Sequence, residues 1–394
     1  MPSDTVPTFD VDRVVQLRHR LHRIPELMYE EFETAAVVRE ELTRLGIDFV
    51  AGVPDAPTAT IATIGDPSKQ CVALRADMDA LPIAEATGLP YASTIPGKMH
   101  ACGHDGHTSI LLGTAGVLSR LADTLNVCVK LIFQPAEEGG GGAGRLVRAG
   151  VLDGTLGPKV VAIYGLHGWP GMPVGFVSTR GGPILAATDT FTAKFIGTGC
   201  HGAFPHAGHD PIVTAAEAVV NLQQFVSREM DPTEPAVVTV GKFHAGTATN
   251  VIPDVALIEG TARTLTPTAR KRIENSLRRR CEHVALANEC RCEFEWTDGY
   301  PPTINDPASA DFVAEVARHT LGRDRFLPAP GPAMGGEDFA YYLEQVPGCF
   351  FFLGVCPEGQ EHYPPLHSDR YDFTDAALGL GVRMFVNLVR GYRA

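Results

Sequence analysis

Apolar positions change their period twice along the chain, and the changes mark its organisation. Val11, Val14, Val15, Leu17 and Leu21 recur at helical spacing until Pro25 interrupts them. A second helix is expected from about Thr34 to Leu45, stopping at Gly46. Four short, nearly continuous apolar runs follow: Thr60–Ile64, Val72–Arg75, Val127–Phe133 and Val160–Gly165. A helical stretch, Ser109–Ala122, lies between two of them. Uninterrupted runs of this kind suit strands covered by helices on both faces, an α/β arrangement.

Near Ala186 the pattern begins to alternate. Thr190–Ile196 sets Phe191, Ala193 and Phe195 against Thr190, Thr192 and Lys194, as a half-exposed strand does. Asp210-Pro211 opens a helix to about Glu229, with Asp as cap and Pro at the first turn. Ala236–His244 and Val255–Leu265 read as strands, and Thr266-Pro267 opens a second helix to about Asn288. Cys290–Thr297 alternates again, with Cys290, Cys292, Phe294 and Trp296 on one face. The order β-α-β-β-α-β is that of a ferredoxin-like unit. Beyond Gly299 the α/β pattern returns, with a helix near Ala308–Leu321, a strand at Cys349–Gly354 and a helix near Thr374–Arg390. The expectation is a mixed-sheet α/β catalytic domain, residues 1–185 and 299–394, interrupted by an inserted α+β domain, residues 186–298. A chain of 394 residues is too long for one ordinary core, which agrees with two domains.

Composition narrows the partners. A formal charge of −13 opposes nucleic-acid binding. No apolar run reaches about 18 residues, so no membrane span is expected. The start, MPSDTVPTFDVDR, lacks a basic segment followed by an apolar one, and the nine cysteines show no framework spacing. Both features point to reduced thiols and a cytoplasmic location.

The chemistry gathers where the runs end. Val72–Arg75 leads to Asp77-Met78-Asp79, Val127–Phe133 to Glu137-Glu138 and a glycine run, and Val160–Gly165 to His167. In open α/β sheets ligands bind outside the carboxyl ends of strands. MHACGHDGH, Met99–His107, precedes the helix expected from Ser109, and His367 follows Pro364-Pro365-Leu366. Thiolate, imidazole and carboxylate together suit zinc, and further oxygen ligands admit manganese. Of two adjacent glutamates, one can bind metal while the other stays free as a general base. Taken alone, MHACGHDGH also reads as a cysteine nucleophile with His104 or His107 as base, or as a polar turn.

Several stretches together resemble the M20 metallopeptidase and aminoacylase family, in particular its amidohydrolase branch. They are LRADMDALPI at 74–83, MHACGHDGHT at 99–108, LIFQPAEEG at 131–139, GLHGWP at 165–170, HGAFPH at 201–206, TNVIP at 249–253, GGEDF at 335–339 and PLHS at 365–368, preceded by HRIPELMYEEFET. The resemblance implies two divalent metal ions (zinc or manganese, with cobalt or nickel also fitting) held by Cys102, His104, Glu138, His167 and His367. It implies Glu137 as the base and His201 as the oxyanion donor, often supplied by a partner subunit. It further implies Asn250, Arg263, Gly335 and Gly336 as substrate-binding groups, and an inserted domain that serves as lid and dimerisation module in a homodimer or higher homo-oligomer. Where many members carry His-x-Asp this chain has Asp77-Met78-Asp79, and Cys102 stands in for the lost ligand. Asp79 is taken to orient a ligand, and Asp77, His100, Asp105 and His107 stay unassigned, the last three as supporting groups or helix caps.

The implied activity is metal-dependent hydrolysis of the amide bond of an N-acyl-L-amino acid, hippurate-like or N-acetylated. Dipeptidase, carboxypeptidase and N-acetyl-diaminopimelate deacetylase activities use the same machinery. A cysteine hydrolase leaves Glu138, His167 and His367 idle, and a non-catalytic binding protein has no use for Glu137.

Overall fold

In the computed structural model, which describes residues 6–360 and 362–393, the apolar runs become a single eight-stranded mixed sheet. The first residues of the MPSDTVPTFDVDR segment lie outside the described part. The strand order is Phe49–Val53, Ala56–Ile64, Cys128–Gln134, Cys71–Asp77, Val160–Pro173, Gly348–Cys356, Val177–Thr179 and Phe326–Pro328. Cys71–Asp77 pairs in parallel with Cys128–Gln134 on one side and Val160–Pro173 on the other. Every residue of Cys71–Asp77, Cys128–Gln134 and Gly348–Cys356 is buried, the polar Arg75, Asp77, Lys130 and Gln134 included. Leu74, Leu131, Tyr164 and Phe351 pack in one core with Leu111 and Leu118 of helix His104–Ser119 and Phe385 of helix Asp375–Gly391.

Two compact units result. The first takes the chain up to Gly182, Ile304–Pro330 and the part from Asp338 onward; the second takes Pro183–Thr303 and Gly331–Glu337. The boundaries expected at 185/186 and 298/299 fall a few residues away from these, and Gly331–Glu337, expected in the larger domain, groups with the second unit. The second unit is built on an antiparallel sheet in the order Ala236–Ala245, Val255–Thr264, Asp189–Ile196, Arg291–Thr297. Helices Pro211–Leu222 and Pro267–Ala287 pack with this sheet through Leu222, Ile273, Leu277, Phe191 and Phe195.

Local chemistry places the helix starts. Asp210 accepts from the Ile212 amide, Thr266 from Ala269 and Asp306 from Ser309, each ahead of a proline in the first turn. The helix expected from Thr34 begins at Phe32. Glu31, at its cap position, makes no cap; Glu26 reaches the Glu33 and Thr34 amides instead, at 3.1 and 2.8 Å. No helix among the described residues is long and apolar enough to cross a membrane.

Candidate metal centre

Two expectations about local structure change. His167 does not follow a strand but lies inside one, because Val160–Pro173 is continuous. MHACGHDGH does not precede its helix but runs into it: the helix starts at His104, so His104, Asp105 and His107 occupy its first turn. Gly103, with φ 85°, holds the cap position, and no side chain caps this helix. Asp105 and His107 are therefore not caps. Register still brings the groups to one edge. Asp77 pairs with Gln134, and Arg75 pairs with Gly165, which sets His167 level with Asp77.

At that edge the ligand types converge. Cys102, His104 and His167 form one group, Cys102, Glu138 and His367 a second, and His104, Glu137 and Glu138 a third, with ligand atoms in each within 4.8 Å of one another. Cys102 Sγ lies 3.3 Å from His167 Nε2, and His367 Nε2 lies 3.2 Å from Glu138 Oε1.

Hydrogen bonds then separate ligands from supports. A carbonyl oxygen only accepts, so the partner of each ring nitrogen sets its tautomer. His104 Nδ1–H donates to the Asp79 carbonyl at 2.8 Å, and His167 Nδ1–H to the Gly168 carbonyl at 2.8 Å. Each ring is left with Nε2 turned to the site: that of His104 is buried without a hydrogen-bond partner among the described residues, and that of His167 meets the Cys102 thiol. His107 differs. Its Nδ1–H donates to Asp77 Oδ1 at 2.7 Å, and its Nε2 accepts the Gly168 amide at 2.8 Å. Both nitrogens are spent, and burial pushes its pKa down, as a neutral ring requires. Asp77 is engaged at both oxygens: the other takes Arg75 Nη1 at 2.6 Å. Asp77, His104 and His107 also lie within ligand distance of one another, yet of the two rings only that of His104 has a nitrogen not committed to a hydrogen bond.

The rest of MHACGHDGH is structural. Asp105 accepts from Arg18 Nε and His22 Nδ1, both at 2.8 Å. His100 is buried with neither ring nitrogen bonded among the described residues, and burial pushes its pKa down to about 4.

The glutamate pair sits on a strained turn. Ala136, with φ 56°, and His367, with φ 64°, are non-glycine residues in the left-handed region, a local cost of about 1 kcal/mol or more that the surroundings must offset. Asp79 offsets part of it. Its two oxygens accept the Glu137 and Glu138 amides at 3.0 and 2.9 Å, so it orients the glutamates through its carboxylate and His104 through its carbonyl.

The pocket is strongly negative. Burial opposes charge on His104, but Asp77 and Asp79 outweigh it and hold the pKa up at about 10. Burial, then Glu138 and Glu137, push the Cys102 thiol well above its usual range. A nucleophilic cysteine needs the opposite, an electropositive setting that lowers the pKa. Two imidazole Nε2 atoms turned to the site, a buried thiol and clustered carboxylates fit divalent cations, which would displace the proton on His104 and convert the thiol to a thiolate ligand.

The other residues expected to act, His201, Asn250, Arg263, Gly335 and Gly336, lie in the second unit. His201 is exposed on a short ribbon in which Cys200–His201 pairs with Val251–Ile252. Its Nδ1 accepts the Ala203 amide at 3.0 Å, which leaves the proton on Nε2. Asn250 adjoins it through its carbonyl, which accepts the Gly202 amide at 2.8 Å. Arg263 lies on another strand, Val255–Thr264, half-buried, with Nη1 donating to the Ala262 carbonyl at 3.1 Å. The Gly335 carbonyl accepts the Ala186 amide, and a Cβ on Gly336 would lie 2.1 Å from Thr188 Cγ2, so only glycine fits there.

The model of peptidase family M20/M25/M40 matches residues 73–391. The chain belongs to that family. Among its M20 relatives, an N-acetyl-L-cysteine deacetylase of Bacillus subtilis is 43% identical over 91% of this chain and 84% of its own. An IAA-amino acid hydrolase of Arabidopsis thaliana is 40% identical over 97% of this chain and 86% of its own. A Bacillus subtilis structure described as a dinuclear metal binding peptidase from the M20 family aligns with a TM-score of 0.82, at 36% identity, over 96% of this chain and 97% of that one. This M20 chain therefore falls in the amidohydrolase branch and is a hydrolase.

Some supporting residues of this M20 site were not foreseen. Asp77 as the partner of His107, and Arg75 bridging Asp77 to Asp338 at 2.6 and 2.9 Å, are pairings between distant segments. The Arg75-Asp77 spacing places both on one face of a strand, which was a readable signal; Asp338 carried none beyond its place in GGEDF.

Proposed function

We propose that this M20 hydrolase cleaves the amide bond of N-acyl-L-amino acids, releasing a carboxylic acid and a free amino acid, with Cys102, His104, Glu138, His167 and His367 holding two divalent ions. The observation that carries the reading is the convergence of these five side chains, the buried Cys102, His104 and His167 with the half-buried Glu138 and the exposed His367, beside a sixth, Glu137. Zinc and manganese suit the mixed thiolate, imidazole and carboxylate donors best, with cobalt and nickel compatible. When bound, such ions supply Lewis acidity and lower the pKa of water.

The chain's own groups supply the rest. Glu137 accepts the proton of the attacking water and delivers it to the leaving nitrogen. Its amide is pinned by Asp79, so its carboxylate starts from a fixed backbone. His201, with its proton on Nε2, is the donor for the developing oxyanion, supplied by the partner subunit of a homodimer formed through the inserted domain. Arg263 holds the substrate carboxylate, and Asn250, Gly335 and Gly336 shape its seat. The two relatives named for N-acetyl-L-cysteine and IAA–amino acid substrates support an N-acyl amino acid over a dipeptide. A cytoplasmic setting agrees with nine cysteines that are all free thiols.

The test is a panel of hippurate, N-acetyl amino acids, N-acetyl-diaminopimelate and dipeptides, assayed with metal-depleted and metal-reloaded protein, alongside Glu137→Gln. N-acyl amino acids should be cleaved only after reloading, and Glu137→Gln should keep both metals while losing about 10²–10⁴-fold in kcat. Full turnover by that variant removes Glu137 from the base role. Cleavage confined to dipeptides replaces the substrate class.

A further inference from the structure

Glu31 stands at the cap position of a helix it does not cap. It is fully buried, and its carboxylate turns away from the helix. Oε1 accepts the Ala136 amide at 2.9 Å and the Tyr29 amide at 2.9 Å, and Oε2 accepts the Thr58 hydroxyl at 2.7 Å. The Ala136 amide immediately precedes the two that Asp79 holds. Two buried carboxylates from separate segments thus clamp three consecutive amides, Ala136, Glu137 and Glu138, across the residue with φ 56°.

The same turn grips the far side of the loop. Tyr29, itself at φ 63°, donates its hydroxyl to the Gly140 carbonyl at 2.7 Å, and Arg145 covers its ring at 3.9 Å. A Cβ on Gly140 would meet Ala136 Cβ at 2.6 Å and Tyr29 Cε2 at 2.9 Å, so the loop has no slack against this turn. Tyr29 and Glu31 therefore bracket residues 136–140 by an amide at one end and a carbonyl at the other. Neither residue belongs to any of the ligand groups.

We propose that Glu31 is a positioning residue for Glu137: together with Asp79 it locks the left-handed turn at Ala136 and so fixes where the Glu137 carboxylate sits. The proposal rests on the reading of Glu137 as the base. Burial raises the Glu31 pKa to about 7, but both amides bond to Oε1, so the grip on Ala136 does not require Oε2 to be ionised. A base held a fraction of an ångström out of place loses rate while substrate binding is little changed.

The experiment compares Glu31→Ala, Glu31→Gln, Tyr29→Phe and Glu137→Gln in metal-loaded, full-length enzyme. It measures kcat and KM on the best N-acyl amino acid of the panel, metal content, and hydrogen exchange of peptides covering residues 131–142. Glu31→Ala should lower kcat about 30–100-fold with KM within about 3-fold and both metals retained. Exchange should speed at least about 10-fold in residues 131–142 and stay unchanged in the second unit. Glu31→Gln keeps a carbonyl that accepts the Ala136 amide and should recover kcat to within about 5-fold of the parent; Tyr29→Phe should lie between the two. If Glu31→Ala does not fold, Glu31→Gln and Tyr29→Phe decide: both must lower kcat and speed exchange in residues 131–142. Unchanged kcat in folded variants, with only the melting temperature reduced, overturns the proposal. So does a loss that appears in KM instead of kcat. Glu137→Gln retaining full turnover is a separate result, which removes the base assignment itself.

Discussion

The two histidine-bearing regions solve opposite problems. In the first unit, His104, His107 and His167 are buried, and each has at least one ring nitrogen committed to a hydrogen bond within the unit. In the second, His201 is exposed on a two-residue ribbon, and its Nδ1 is satisfied by a local amide only two residues away. Ligand geometry has to exist before substrate arrives, so it is built where packing permits no alternative. The donor role proposed for His201 needs accessibility, and a short, locally satisfied turn provides it.

The largest effect that tests this contrast is expected from Cys102→Ala, because Cys102 belongs to two of the ligand groups. Metal content should fall, and turnover should drop by about 10³-fold or more, since Lewis-acid stabilisation is worth several kcal/mol. Retention of both metals by this variant would break the assignment.

Next comes His201→Ala, with about 10²–10³-fold lost in kcat, the magnitude of one oxyanion donor. Metal content and melting temperature should not change, because the residue is exposed. A melting-temperature loss as large as that of a buried-site variant would erase the difference between the regions.

A third consequence concerns pH. His22 is buried beside Asp105 and Glu85; burial opposes its charge, but these carboxylates hold its pKa up at about 9. A raised folded-state pKa stabilises fully below the unfolded value, about 6.5, and that stability is lost as pH climbs through about 9. Thermal melts across this window should show about 3 kcal/mol of stability disappearing, and His22→Asn should flatten the curve. An unchanged slope in His22→Asn would place the titration elsewhere.

The smallest effect is expected in the second unit. Asp210→Ala removes the cap on the Ile212 amide and should cost about 1 kcal/mol with kcat unaltered. A matching loss of kcat would tie this helix to the chemistry.

Much of the fold was legible in the residues. The central strands Cys71–Asp77 and Cys128–Gln134 appeared as nearly continuous apolar runs because both faces are covered, and Asp189–Ile196 as an alternation because one face is not. Boundaries were less legible. Val160–Pro173 continues past Gly165 because Gly348–Cys356 extends the pairing from Gly165 through Gly168 and Trp169, and nothing local announces that partner. Gly331–Glu337 was placed with the wrong unit because its grouping rests on long-range contacts such as the Gly335 carbonyl with the Ala186 amide. Glu31 is one of two adjacent glutamates in EEF; its neighbour Glu30 is exposed, and only the fold buries one and not the other.

By itself, the sequence determined the inventory: an α/β frame, an alternating α+β insert, and a set of thiol, imidazole and carboxylate groups at the right places for a metal centre. Those are properties of residue type and period, and they are local. Tertiary structure decided which histidine of CGHDGH keeps a nitrogen uncommitted to a hydrogen bond. His104 does because the Asp79 carbonyl takes only its Nδ1 proton, while His107 does not because Asp77 and the Gly168 amide take both nitrogens. An imidazole has two nitrogens of nearly equal chemistry, and what distinguishes them is supplied by neighbours 25, 30 and 61 positions away.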